Sequence, residues 1–191
     1  GASYEINLGK NLFIPKQNNS TSAGILYSLN EDGTINLSGT STNVIYFTFD
    51  KNVSESNFVN GNTYTFSSNK TIPSGVVYKI EIRSATSWLR EYAISNSTPT
   101  RTFTIDLTDA VLIRYDIQIN NGTTPNLTNV GIQIEAGSQT TSYSPYFTPI
   151  ELCKIGDYQD YFYKDNNKWY IHKVIGKVVL NGSETYSSQT N

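Results

Sequence analysis

The most restrictive feature of this sequence is a regular alternation of apolar and polar side chains in two segments, 76–83 and 111–120. In the first, VVYKIEIR, every second residue is Val, Tyr or Ile, and Lys, Glu and Arg stand between or after them. The second, VLIRYDIQIN, repeats the pattern. A period of two separates the side chains onto the two faces of a strand. Both segments therefore predict β-strands with one face in a core and the other in water.

Similar short segments lie between residues 10 and 136, separated by turn sequences. Asp32-Gly33 and Asn60-Gly61 follow or separate apolar runs, and such pairs are strong turn signals. The first apolar segment, 11–14, is predicted to be a strand that ends at Pro15. About eight or nine short strands without a convincing helix are typical of an antiparallel two-sheet fold. We therefore predict an all-β protein, a jelly-roll β-sandwich over 4–148.

The last part of the chain has a different pattern and is rich in aromatic residues. Two apolar runs, 161–163 and 169–172, flank the turn sequence at 165–167, which predicts a hairpin. Residues 177–180 are predicted to add a third strand. About forty residues lie at the lower limit of independent stability. We therefore assign 149–191 to a small β-hairpin linker module or oligomerisation segment.

The composition argues against several functional classes. A net charge of −2 gives no basic surface for nucleic acid, and no apolar run approaches the roughly 20 residues of a membrane span. The single Cys and single His, Cys153 and His172, cannot form an internal disulfide or a Cys/His metal site. No motif supplies His172 with an orienting partner. We therefore expect no nucleic-acid or membrane partner, no cofactor, no bound metal and no catalytic activity.

Parity directs polar residues of several predicted strands away from the core, and these residues form one lattice if the strands share a sheet. They are Lys79, Glu81, Arg83, Arg114, Asp116, Gln118, Gln133 and Glu135. Planar amide, guanidinium and carboxylate groups can each bind the paired hydroxyls of a sugar. The alternative is an ordinary solvated face, on which Glu81 pairs with Arg83 or Lys79, and Asp116 pairs with Arg114. The same pairing argues against Glu81 and Asp116 acting as glycosidase carboxylates, which stand roughly 5–9.5 Å apart.

An aromatic platform is the second requirement of a sugar site, because a ring covers the apolar face of a pyranose. Trp88 lies in a polar loop between predicted strands, with Arg90 and Tyr92 close by, and it is either an edge plug of the core or an exposed platform. The tyrosines within other strands, such as Tyr46, are expected to pack inside. The predicted saccharide site comprises Trp88, Arg90, Tyr92, Arg83, Glu81, Arg114 and Asp116.

The segment 133–146, QIEAGSQTTSYSPY, marks the end of the predicted sandwich. Gly137 supplies a turn after the last strand, and a run of hydroxyl residues follows it. Tyr143 and Tyr146 flank Pro145, which fixes the backbone between them. We predict that the two rings latch the departing chain onto the sandwich near the segment 11–14.

Four stretches resemble tail proteins of phages that infect Gram-positive bacteria. NEDGTINLSGTSTNVIYFTF (30–49) resembles the early hairpin of their carbohydrate-binding-module-like jelly rolls, and KNLF (10–13) resembles the first strand. IQIEAGSQTTSYSPY (132–146) resembles the closing signature of these domains. DYQDYFYKDNNKWYIHKVIGKVVLNGSE (157–184) resembles the linker module that follows them in minor tail and receptor-binding proteins.

The resemblance covers nearly the whole chain and implies a location in the virion, at the tail tip or baseplate. It implies non-catalytic adhesion to host cell-surface polysaccharide and contact with other tail subunits, and it does not specify ligand residues. The rival interpretation is a structural spacer or trimerisation module without a ligand, because the linker is rich in aromatic residues that a homotrimer would bury. A cell-wall hydrolase is the third interpretation.

Overall fold

The structure is a computed structural model that describes residues 10–146, 150–155, 158–165 and 168–172. Its strands are short and all of their pairings are antiparallel. They are β1 (Ser20–Ser22), β2 (Ile25–Leu29), β3 (Ile35–Gly39), β4 (Ile45–Asn52), β5 (Thr63–Ser68), β6 (Val76–Arg83), β7 (Trp88–Ser95), β8 (Arg101–Thr104), β9 (Leu112–Ile119), β10 (Leu127–Val130), β11 (Ile132–Ala136), β12 (Ile150–Ile155), β13 (Tyr158–Asp165) and β14 (Lys168–His172). A single 3-10 turn, Val53–Glu55, is the only helical element in these ranges.

The first eleven strands form a jelly-roll sandwich, which confirms the predicted fold class. One sheet has the order β4-β9-β6-β7. The opposite layer consists of β1-β2-β3-β10 and β11-β5-β8, and only Gly131 separates β10 from β11. The layer therefore runs β3, β10/β11, β5, β8. Each sheet interleaves early and late strands in the manner of two Greek keys.

Aromatic and branched aliphatic side chains fill the space between the layers. Tyr27 of β2 stacks on Phe47 of β4, with ring centroids 5.0 Å apart. At the other end, Tyr92 of β7 stacks on Phe103 of β8 at 4.2 Å. The alternation of β6 has the predicted orientation, because Tyr78, Ile80 and Ile82 are all fully buried. Large rings thus give a substantial core to a chain in which only 37% of residues are hydrophobic.

Two local features differ from the sequence prediction. The segment 11–14 is extended and its Leu12 N–H donates to the Ile134 carbonyl at 2.7 Å, but it is not a regular strand. The side chain of Asn11 replaces part of the backbone hydrogen bonding of a strand pair, because its Oδ1 accepts from the backbone N–H groups of Phe13 and Ile134. A short edge strand, β1, follows where no strand was predicted.

The C-terminal strands form a separate sheet with the order β12-β13-β14. The predicted hairpin is confirmed, since Phe162 pairs with Ile171 and Tyr163 with Tyr170. The third strand is β12, which precedes the hairpin and pairs with β13. The strand predicted at 177–180 lies outside the described residues. The division of the chain at 148/149 stays a prediction.

The exit segment, residues 137–146, is held against the sandwich by both of its tyrosines, as predicted. The Tyr143 ring covers the backbone of Gly131, and the Tyr146 hydroxyl donates to Gln17 Oε1 at 2.7 Å. Tyr146 also packs against the edge of the core. Both rings are partly buried, so the latch is confirmed. Its ring contacts lie at Gly131 and Gln17, and the segment 11–14 meets the exit segment through Asn11 and the Ser144 carbonyl.

Buried polar side chains of β11 contribute a second set of contacts to the exit segment. Glu135 accepts from the Thr141 backbone N–H at 2.8 Å and from its hydroxyl at 2.7 Å. Gln133 accepts from the Ser144 N–H at 2.8 Å, and Asn11 donates to the Ser144 carbonyl at 3.0 Å. The expectation that Gln133 and Glu135 face water is therefore wrong. They point away from the core, but the exit segment covers them to 1% and 4% exposure.

Gly131→Ala is expected to destabilise the sandwich by about 1–3 kcal/mol, the range found for overpacking. A Cβ at this position would lie 2.5 Å from Cγ and Cδ2 of Tyr143, so the ring must move. Chemical denaturation measures the loss. Gly131→Ala combined with Tyr143→Ser should show a coupling energy, and Ser138→Ala, in the exposed part of the exit segment, serves as the neutral control. Strictly additive effects of the two substitutions would contradict the contact.

Candidate functional site

The candidate site is the outward surface of the sheet β4-β9-β6-β7, which we call the ion-pair face. Strand register places its side chains in rows across the sheet. One row aligns Asp50, Arg114, Glu81 and Glu91, and the next aligns Thr48, Asp116, Lys79 and Ala93. A third row, at one end, aligns Tyr46, Gln118, Val77 and Ser95. A fourth row, at the other end, aligns Asn52, Leu112, Arg83 and Trp88. Non-local pairing thus brings four strands' polar residues into one lattice.

Lys79 occupies the centre of this lattice. Its Nζ lies 3.1 Å from Glu81, 3.1 Å from Glu91 and 3.6 Å from Asp116. The ammonium group also lies 5.4 Å from the centroid of the Tyr46 ring, within cation–π range. Burial alone would lower the pKa of Lys79, but its carboxylate partners outweigh this and raise it. Lys79 is therefore a fixed cation that joins three strands.

Two arginines complete the lattice. Arg83 donates to Glu81 at 2.7 Å, as one of the predicted pairings required. Arg114 instead forms a bidentate contact with Asp50, at 2.7 and 2.8 Å. The predicted pairing of Arg114 with Asp116 is therefore wrong. Arg114 pairs with Asp50 on the edge strand β4, and Asp116 pairs with Lys79. A bidentate guanidinium–carboxylate contact is stronger and more directional than a single ion pair.

The central residues of the ion-pair face are far more buried than a solvated sheet surface would be. Lys79, Glu81 and Asp116 are 7%, 9% and 1% exposed, although they point away from the core. Long neighbouring side chains cover them, including the Tyr46 ring above Lys79. The accessible groups are Arg83, Arg114 and Glu91, whose side chains are 29%, 32% and 36% exposed. The side chains of the ion-pair face that solvent reaches are therefore the outer ones, while Lys79 ties Glu81, Glu91 and Asp116 together.

Asp116 has an incomplete set of hydrogen bonds. Its Oδ1 atom is buried and has no partner within the described part of the chain. Desolvation raises the pKa of Asp116 to about 6, and the nearby Lys79 only partly opposes this. Glu81 adds a further upward contribution to the pKa of Asp116 by repulsion. An uncompensated carboxylate in this position costs stability while it is charged.

Stability is expected to fall as the pH rises from 3.8 to about 6, by up to about 3 kcal/mol from Asp116 alone. The folded protein binds this proton more tightly than the unfolded chain, so protonation favours folding in that window. Denaturant titrations across the window measure the slope, and carboxyl NMR locates the titration. Asp116→Asn should remove this component. A variant that keeps the full pH dependence would show that another group is responsible.

Two large aromatic side chains are exposed on the ion-pair face. Trp88, the first residue of β7, is 54% exposed, and Tyr46 of β4 is 52% exposed. Trp88 is thus a surface residue rather than a plug of the core. Tyr46 was expected to pack inside, and that expectation is wrong. Its position between Ile45 and Phe47, which are both buried, is the sequence signal that identifies it as outward.

Arg90 and Tyr92 do not belong to this surface. Tyr92 is 9% exposed, stacks on Phe103, and donates from its hydroxyl to the Thr104 carbonyl at 3.1 Å. Arg90 pairs with Asp106 at 2.7 Å and donates to the Thr108 carbonyl at 3.0 Å. Both residues therefore organise the connection from β8 to β9. The other five predicted residues, Trp88, Arg83, Glu81, Arg114 and Asp116, share the ion-pair face.

The described ranges contain neither a metal-binding cluster nor a membrane-spanning helix. No three His, Cys, Asp or Glu side chains there approach in a way that would hold a metal ion. In the same residues, no helix is long and apolar enough to cross a membrane.

Comparison with known proteins adds one weak structural likeness. No family model matches the chain, and no curated protein matches it. Among solved structures, it is similar to a chain in the crystal structure of accessory secretory protein 1, 2 and 3 in Streptococcus pneumoniae, with 13% identity and a TM-score of 0.49. That match covers 68% of this chain and 96% of the other. Nothing about function follows from a likeness at this level.

Proposed function

We propose that this chain is a non-catalytic module that binds host cell-wall saccharide through the ion-pair face, as part of the tail tip of a phage of Gram-positive bacteria. The observation that carries the proposal is the exposure of Trp88 and Tyr46 on the same face as fixed, partly accessible Arg83, Arg114 and Glu91. The resemblance of the segments 30–49 and 132–146 to phage tail domains supports the location.

The two rings mark the ends of an elongated surface. From Tyr46 to Trp88 the register crosses three strand spacings and six residues along the strands. At about 4.8 Å per strand and 3.4 Å per residue, the diagonal is roughly 25 Å. That length exceeds a single sugar ring, so the surface suits a short stretch of polysaccharide with a pyranose on each ring.

The polar groups between the rings are suited to neutral or mixed-charge hydroxylated chains. Arg83 and Arg114 have directions fixed by Glu81 and Asp50, so little side-chain freedom is lost when they donate to a ligand. The lattice combines guanidinium donors with carboxylate acceptors, and hydroxyl groups can bind to both. Affinity per site is expected to be weak and to increase through several copies on one tail.

The direct test is sedimentation of the protein with purified Gram-positive cell walls, with and without soluble wall polysaccharide as competitor. We expect co-sedimentation that the competitor abolishes. Failure to bind walls from a broad panel of hosts would overturn the proposal and favour a spacer module. Release of reducing ends from the walls would instead identify a hydrolase.

A further inference from the structure

A polar groove lies on the opposite layer of the sandwich, above the outward surface of β5 and β11. The groove is open to solvent and has a volume of about 170 Å³. Ser67 and Gln133, which are direct cross-strand partners, lie in its floor. Thr100, just before β8, lines one side, and Thr140 and Tyr143 of the exit segment also line it. This groove is on the other sheet from the ion-pair face.

The residues that line the groove are all uncharged. Their polar groups are hydroxyls, amides and backbone atoms. The hydroxyls of Ser67, Thr100 and Thr140 make no hydrogen bond to any residue within 10–146. Three separate elements therefore contribute solvent-accessible hydroxyl groups, each both donor and acceptor, to one small space.

The remaining part of the lining is rigid. Gln133 is 1% exposed, and its amide is fixed by the Ser144 N–H at 2.8 Å and by Glu135 at 2.7 Å. The Tyr143 ring is held against Gly131. The exit segment that completes the groove is thus anchored by the same contacts that close the sandwich. A groove held in this way requires little ordering when a ligand enters.

We infer that this groove is a second binding site, which takes one uncharged sugar residue. The charged groups that reach the lining, Lys10 and Glu135, bond to Thr141 and lie 3.8 Å from each other, so the groove offers a charged ligand no free ionic partner. A hydroxylated ring would replace water as the hydrogen-bond partner of these three hydroxyls and lie beside the Tyr143 ring. The size admits several water molecules or one monosaccharide unit, and it does not admit a long chain lying flat.

Two-dimensional amide NMR of the full chain tests the inference, with glucose, galactose, rhamnose and N-acetylglucosamine added separately at high millimolar concentration. At least one sugar is expected to shift the amides of Ser67, Thr100 and Thr140 in a saturable manner. No saturable shift at these residues with any of the four sugars would overturn the inference. Shifts confined to Trp88 and Tyr46 would also overturn it, while leaving the proposed ion-pair-face site intact.

Variants separate direct contact from an indirect effect. Thr100→Ala combined with Thr140→Ala removes two hydroxyls from the lining and should weaken the sugar's affinity about tenfold. Thr128→Ala, an exposed threonine of β10 outside the groove, is the matched control and should leave the affinity unchanged. Unaltered affinity in the double variant, with an unchanged spectrum elsewhere, would contradict the site.

Discussion

Lys79→Met is expected to lower the free energy of unfolding by about 3–5 kcal/mol, the cost of breaking a buried ionic network. The substitution leaves Glu81 and Asp116 buried and removes the cation between them. Glu81 retains Arg83, but Asp116 then keeps the repulsion of Glu81 and is left with only the weaker attraction of Arg114. Oδ1 of Asp116 has no hydrogen-bond partner among the described residues, and Lys79 is the cation that acts most strongly on this carboxylate. Chemical denaturation at neutral pH measures the effect.

The matched control is Lys70→Met, which removes an exposed lysine outside the lattice and should change stability little. Adding Asp116→Leu to Lys79→Met should recover a large part of the loss, since replacing both partners of a buried pair is often nearly neutral. A loss below about 1 kcal/mol in the single variant would mean that the lattice behaves like an ordinary surface ion pair. No recovery in the double variant would mean that Asp116 is not the residue that depends on Lys79.

Trp88→Ala is expected to reduce cell-wall binding by about thirtyfold or more, because truncating an anchoring tryptophan commonly costs at least about 2 kcal/mol of binding energy. Trp88 is half exposed and begins an edge strand, so its removal should not disturb the core. Sedimentation with cell walls over a concentration series measures the change. On a multivalent tail the loss would be larger still.

Leu26→Ala is the control for this experiment, because Leu26 is 51% exposed but lies on β2 in the opposite layer. It removes a similar exposed apolar group and should bind walls like the wild type. Equal binding by Trp88→Ala and wild type would remove Trp88 from the site. Equal weakening by both variants would indicate nonspecific hydrophobic adhesion.

Local sequence patterns predict which face a residue occupies, and they do so well in the central strands. Ile80 and Ile82 lie inside and Lys79 and Glu81 lie outside, as the alternation of β6 requires. The alternation does not predict how deeply an outward-facing side chain is buried. Lys79 and Asp116 are covered because four long strands place bulky partners around them, and that depends on strand order, which is non-local.

The misplacement of Tyr92 has a specific physical cause. Trp88 and Tyr92 are four residues apart, so a regular strand would direct both to one face. The register shifts between Ile82 and Arg83, so Trp88 lies opposite Arg83 while Tyr92 lies opposite Ile80. An irregularity of this kind reverses the parity of one end of a strand. No feature of the sequence near Leu89 predicts this register shift.

The most direct test of the account is titration of the protein with soluble cell-wall polysaccharide, followed by the indole N–H resonance of Trp88 and the guanidinium resonances of Arg83 and Arg114. We expect these signals to shift together and to saturate at one concentration. Binding that shifts none of the three would contradict a saccharide site on the ion-pair face.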